Sequence, residues 1–218
     1  MVIKKIVKPP IIALLKMTNL YSLFLLRQAG PLSEDGWFRS FREKAPVDAA
    51  GDPLPWITYP AIEFLARRVN SEMSVFEYGC GASTLWWAPR VKEVVSIEHD
   101  RDWFGIVASR APQNVDLHHI PLTEGEAYSR AVGTYRNRFH LVVIDGRERV
   151  RCAFHSLDAL TADGVIIWDN SDRAEYQQGY DFLFSHGFRK IEFVGYAPGC
   201  IDKTETTFFY RDQNCLGI

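Results

Sequence analysis

The stretch Val75–Trp87, VFEYGCGASTLWW, decides the fold of this chain. An apolar run leads into two glycines one residue apart, Gly79 and Gly81, and a run compatible with a helix leads out. Ser83 or Thr84 is available there as a helix cap, and Pro89 stops the helix. A strand, a glycine turn and a helix in this order make a nucleotide-binding unit, because glycines let a ligand lie directly on the backbone. The dinucleotide pattern G-x-G-x-x-G is incomplete, since its third position is Thr84, and no lysine follows in the arrangement of a triphosphate loop.

Outward from this turn the pattern is regular. TYPAIEFLARRV before it has helical spacing, with Ile62, Leu65 and Val69 on one side and Thr58 as cap. After it come the strand EVVSIEHD, a helix from Asp102 with Trp103, Ile106 and Val107 inward, the strand VDLHHI and a short helix in GEAYSRAV. The second half continues with the strand FHLVVIDG, a helix in ERVRCAFHSLDAL, the strand DGVIIWDN and a helix in RAEYQQGYDFLFSHG that closes on Gly187. RKIEFVGY and ETTFFYR form a terminal strand pair. Strands alternating with helices, then two strands in succession, imply an α/β fold: a doubly wound, mostly parallel seven-stranded sheet with an antiparallel edge strand. Ligands of such sheets bind beyond the carboxyl ends of the strands.

The second carboxylate is Glu98, which ends the strand after the turn. A carboxylate there accepts hydrogen bonds from both hydroxyls of a ribose. Acid-x-Gly-x-Gly followed by an acid one strand later repels a pyrophosphate and suits a ligand with an ammonium or sulfonium group. With Glu77, Gly79, Gly81, Glu98 and the VVIDG segment ending at Gly146, residues 75–172 resemble the cofactor half of class I S-adenosylmethionine-dependent methyltransferases, a Rossmann-like family. The resemblance implies that Glu77, Gly79, Cys80, Gly81, Ala82, Ser83 and Thr84 line the methionine and ribose part of the site. It further implies that Glu98 holds the ribose, His99 flanks the adenine, Ile120–Leu122 covers its other face and Asp145 stands at the methionine end.

The reaction then needs alignment of the acceptor and, for an alcohol, a group that takes its proton. Asp145 and Asp169 are the catalytic candidates. The Asn/Asp-Pro-Pro-aromatic motif of amino-directed methyltransferases is absent, since Asp145 is followed by Gly146 and Arg147, which points to an oxygen acceptor. Asp145, Asp169 and Asn170 also resemble the magnesium ligands of catechol-type O-methyltransferases, in part only: that family has a lysine where this chain has Glu148. Mg²⁺ is therefore a candidate second cofactor. The acceptor is expected to be a small molecule or a sugar or polysaccharide precursor. An NAD(P)-dependent oxidoreductase and a non-catalytic, membrane-associated nucleoside-binding module are the rival readings.

Composition sets the remaining bounds. The chain has 218 residues, 47% of them hydrophobic and 24% charged, and a net charge of −2, so no basic footprint for nucleic acid is present. Cys80, Cys152, Cys200 and Cys215 lack metal-ligand spacing and read as reduced thiols of a cytoplasmic protein. Residues 1–57 read as an N-terminal helix and a loop or lid, and 58–218 as the cofactor-binding domain. The apolar run from Ile11 to Leu26 is too short for a membrane span of ~20 residues. It is expected to pack on the domain or on a second subunit. The alternative is a helix peripheral to a membrane, with Lys4, Lys5 and Lys8 facing lipid phosphates.

Overall fold

A computed structural model describes residues 9–122 and 125–218. Four short helices come first: α1 (Pro9–Met17), α2 (Tyr21–Gln28), α3 (Pro31–Glu34) and α4 (Trp37–Glu43). The α/β body follows as α5 (Tyr59–Ala66), β1 (Ser74–Tyr78), α6 (Ala82–Trp87), β2 (Glu93–Glu98), α7 (Arg101–Ala108), β3 (Val115–His119), α8 (Ala127–Arg130), β4 (Phe139–Ile144), α9 (Arg149–Ser156), β5 (Leu160–Asp169), α10 (Gln177–Ser185), β6 (Arg189–Gly195) and β7 (Thr204–Tyr210). The sheet has seven strands in the order β3-β2-β1-β4-β5-β7-β6. Strands β1 to β5 pair in parallel, and β7 runs antiparallel to both β5 and β6 at that edge.

Burial on both faces explains why the central strands read as unbroken apolar runs. Side chains alternate between faces. Val75, Leu141, Val143 and Ile167 point to one side, among α5, Trp86 and Trp87. Phe76, Tyr78, Val142, Ile144 and Trp168 point to the other, among residues of α8, α9 and α10. By this alternation Glu77 shares the face of Val75 and lies beneath α6 rather than above the turn.

Local chemistry departs from expectation at three places. Thr58 does not cap α5: its hydroxyl donates to the Phe193 carbonyl and its N–H donates to Thr206 Oγ1, which ties the helix start to the last hairpin. Asp100 caps α7 by accepting from the Trp103 N–H, so the helix starts earlier than Asp102. That start turns Trp103 and Ile106 outward, 46% and 52% exposed, and leaves Val107 as the buried member of the three. The segment expected as a loop or lid contains α4, which packs on the link between β6 and β7. Trp37 Nε1 donates to the Cys200 carbonyl at 2.7 Å, and a Cβ on Gly199 would stand 3.0 Å from the Ser40 backbone.

Helices α1 and α2 do not pack on the body as expected: among the described residues none from 10 to 35 is buried. Lys4, Lys5 and Lys8 lie outside the described residues.

Candidate cofactor and acceptor site

Strand register builds the site. Tyr78 pairs with Ile97 on one side and Ile144 on the other, and Ile144 pairs with Trp168. The next residue of each strand therefore falls on one row: Glu98, Gly79, Asp145 and Asp169. Neighbouring strands lie about 4.8 Å apart, so three carboxylates and a glycine turn share one lip of the sheet. The strand order reverses between β1 and β4, and that crevice is where ligands of this architecture bind.

Above the row lies a cavity of about 550 Å³. Gly79, Cys80, Gly81, Ala82, Ser83, Glu98, His99 and Asp145 line it, together with Trp103, Ile106 and a wall from the N-terminal segment, Lys44–Val47. Gly79 has φ +92°, which a side chain tolerates poorly, and a Cβ there would stand 3.1 Å from Gly146 Cα. Two strand ends meet at that contact.

Glu98 is 4% exposed and held by main-chain donors. Its Oε1 accepts from the N–H groups of His99 and Asp100 at 2.8 Å, and its Oε2 accepts from the Cys80 N–H at 3.2 Å. An ionised carboxylate has about four acceptor sites, so Oε2 keeps capacity for a donor from the cavity. Cys80 is an inert neighbour. Burial, then the Glu77 and Glu98 charges, pushes its thiol pKa far up.

Glu77 and Thr84 are placed differently from the expectation. Both are fully buried and neither lines the cavity. Thr84 Oγ1 donates to Glu77 Oε2 and accepts from the Gly81 N–H at 2.9 Å, while Ser96 Oγ donates to the same Glu77 oxygen at 2.8 Å. Burial raises the Glu77 pKa against those hydroxyls. The pair is a truss under the turn. The carboxylates that do line the cavity are Glu98 and Asp145.

Other positions also shift. Ile120 and Leu122 are half-buried against the core and do not line the cavity. Trp103 takes a place beside the turn instead, its Nε1 donating to the Cys80 carbonyl at 2.7 Å. The signal for Trp103 was present in Asp100: an N-cap there puts Trp103 in the first helical turn, directly beside Cys80.

The row continues into a second cavity of about 710 Å³, which shares Trp56 and Asp145 with the first. Asp169, Asn170, Phe41 and the β6–β7 link, including Asp202 and Lys203, line it. The three expected magnesium ligands, Asp145, Asp169 and Asn170, all border it, but each is already engaged. Arg149 lies among the strand ends, where it donates from Nε to the Gly146 carbonyl at 3.0 Å, from Nη2 to Asp145 Oδ1 at 3.0 Å and from Nη1 to the Asp169 carbonyl. Asp169 Oδ1 accepts from Thr206 Oγ1 at 2.7 Å, and the Asn170 side chain pairs with Thr204 and Arg173. A guanidinium already neutralises Asp145, and among the described residues no group of three acidic, histidine or cysteine side chains could hold a metal. The residues do not fit Mg²⁺.

Burial raises the pKa of Asp169, and the Asp145 charge adds to it. Burial also raises Asp145, against the Arg149 charge. For Asp169 the linkage has a definite sign. An unfolded Asp titrates near 3.9; above that pH and below the folded pKa, the native state holds a proton that the unfolded state lacks. Stability therefore falls as pH rises through that window and stays lower above it. Asp169→Asn keeps an acceptor for Thr206 and removes the titration. Its Tm should exceed that of the parent at about pH 9 and match it at about pH 4, with about 1.4 kcal/mol for each unit of elevation and 2–4 °C per kcal/mol. Equal Tm values for the two proteins at both pH values would contradict the raised pKa.

No protein-family model matches the chain, and no curated protein sequence matches it. Solved structures do. A precorrin 8w decarboxylase from Methanobacterium thermoautotrophicum superposes with a TM-score of 0.56 at 17% identity, over 78% of this chain and 97% of that one. The spermidine synthase of Thermotoga maritima gives 0.53 at 13% identity over 67% of this chain, which spans 55% of that protein. A tRNA (m1A58) methyltransferase from Aquifex aeolicus gives 0.51 at 15% identity, over 73% and 71% of the two chains. What the chain shares with these proteins is architecture, and that architecture is the class I S-adenosylmethionine-dependent methyltransferase fold.

Proposed function

We propose that the chain is an S-adenosylmethionine-dependent methyltransferase acting on an oxygen of a small molecule, with sugars and polysaccharide precursors as the acceptor class. The observation that carries this reading is Glu98: a buried carboxylate fixed by three backbone N–H groups at the floor of a nucleoside-sized cavity, beside a glycine turn. The cavity volume falls within the 300–1,000 Å³ usual for small-ligand sites. When bound, the cofactor supplies a methyl group already activated by a positive sulfonium. The chain's own residues hold the nucleoside, align the acceptor and handle its proton.

Asp145 stands where the two cavities meet and carries a pKa raised by burial, which makes its carboxylate a better base for an acceptor hydroxyl. Trp56 and Phe41 offer flat apolar faces, while Asp202 and Asn170 offer polar partners, a lining that suits a polyhydroxylated ring. Calorimetry with S-adenosylhomocysteine and with NAD tests the cofactor, and transfer of a labelled methyl group to host sugars and glycans tests the reaction. Tight NAD binding without S-adenosylhomocysteine binding would sink the proposal, and cofactor binding without transfer would reduce the chain to a nucleoside-binding module. Because Arg149 does the neutralising at the strand ends, activity is expected to persist in EDTA; abolition by EDTA with rescue by Mg²⁺ would overturn that account.

A further inference from the structure

Helices α1 and α2 leave an apolar surface exposed among the described residues. Ile11, Leu14, Met17, Leu20, Leu23 and Leu26 are all exposed, Leu14 and Leu23 at 60% and Met17 at 83%. The two helices, of nine and eight residues, meet at a bend of 117°. Asn19, with φ +56°, makes the corner, and the Leu20 N–H closes the first helix on the Leu15 carbonyl at 2.9 Å. Neither arm approaches the ~20 residues that a helix needs to cross a bilayer. A bent pair of short apolar helices fits an interface, where each arm can lie flat.

Charge selects the partner. Residues 1–33 contain Lys4, Lys5, Lys8, Lys16 and Arg27 and no acidic residue, so all 27 aspartates and glutamates lie from Glu34 onward. A segment both apolar and purely cationic, attached to an acidic body, matches a surface that is apolar within and anionic at its rim. Lys16 lies over the Tyr21 ring at 5.2 Å, an aromatic and a cation side by side as at a headgroup boundary. We infer that α1 and α2 dock the protein onto an anionic lipid bilayer, their leucines entering the acyl boundary and Lys16 and Arg27 meeting the phosphates. The inference stands apart from the methyl-transfer reading.

Vesicle flotation of the full chain tests it, with phosphatidylcholine alone and with phosphatidylcholine plus phosphatidylglycerol. The full chain should float with the anionic vesicles at low salt, remain at the bottom with the neutral ones, and be released by alkaline carbonate. The double substitution Leu14→Glu and Leu23→Glu should lower vesicle binding by about tenfold or more, with an unchanged thermal melt because both side chains lie outside the core. Absence of flotation with either vesicle, or equal flotation of the variant, overturns the inference. Resistance to carbonate would assign a spanning pair and overturn interfacial docking. A dimer in vesicle-free buffer that the same substitutions dissociate, with no flotation, would assign the surface to a second copy instead.

Discussion

Glu98→Ala is expected to weaken S-adenosylhomocysteine binding by about 1.5–3 kcal/mol, the usual worth of a hydrogen bond to a charged group. In dissociation constant this is roughly 10- to 150-fold. The size follows from position. Glu98 is 4% exposed, and its register places it level with Gly79, so no water-exposed substitute can reach the same ligand atoms. The substitution also strips the acceptor from the N–H groups of Cys80, His99 and Asp100, so the turn itself loosens. Glu98→Gln separates the two effects, since its amide oxygen still accepts from main-chain donors but its charge is gone. Calorimetry should place Gln between the parent and Ala. Unchanged affinity in both variants would remove Glu98 from the cofactor site.

The second large effect is expected at Gly146→Ala. A Cβ there would stand 2.0 Å from Tyr128 Oη and 3.0 Å from the Tyr78 main chain. Tyr128 is fully buried, so the ring has no open space to turn into, and its hydroxyl has no hydrogen-bond partner among the described residues. Overpacking of this kind costs about 1–3 kcal/mol, a Tm loss of about 2–12 °C for a chain of this size. Tyr128→Phe removes the colliding oxygen. The double variant should therefore regain much of the lost stability, in a thermal-denaturation cycle of four proteins. Additive losses would show that the strain lies in the Tyr78 backbone contact instead.

Much of this arrangement is written in local pattern. Short, mostly apolar runs make Val75–Tyr78, Val94–Ile97 and Leu141–Ile144 legible as strands buried on both faces, and their ends name Glu98 and Asp145 without any tertiary information. Legibility stops where a side chain's partner is distant in sequence. Glu77 looks like a ligand-facing acid in its motif, yet strand alternation sends it under α6, where Thr84 and Ser96 take its oxygen. Arg149 reads as an ordinary first-turn arginine, because its role depends on three carbonyl groups, one from the end of β5 and two from the turn between β4 and α9. Asp145, Asp169 and Asn170 resemble the ligands of a magnesium site, and only the position of that guanidinium shows that Asp145 is already engaged. The apolar helices α1 and α2 depart in the opposite way: hydrophobic content implied packing on the domain or on a second subunit, and within the chain their apolar side chains stay exposed.

The union of α4 with the β6–β7 link has a consequence for how such a protein changes over generations. The floor of the first cavity comes from one continuous tract, Gly79 to Asp145, whereas walls of the second come from near the two ends of the chain, fastened to each other by Trp37 and Cys200. Insertions or exchanges in residues 37–56 and 196–203 leave the floor's register untouched. Because Lys44–Val47 and Trp56 also line the first cavity, changes there reshape the walls of both cavities while Glu98 and the glycine turn keep their places. Relatives of this chain are expected to vary together at those two segments, as a lock and its matching key are recut in pairs.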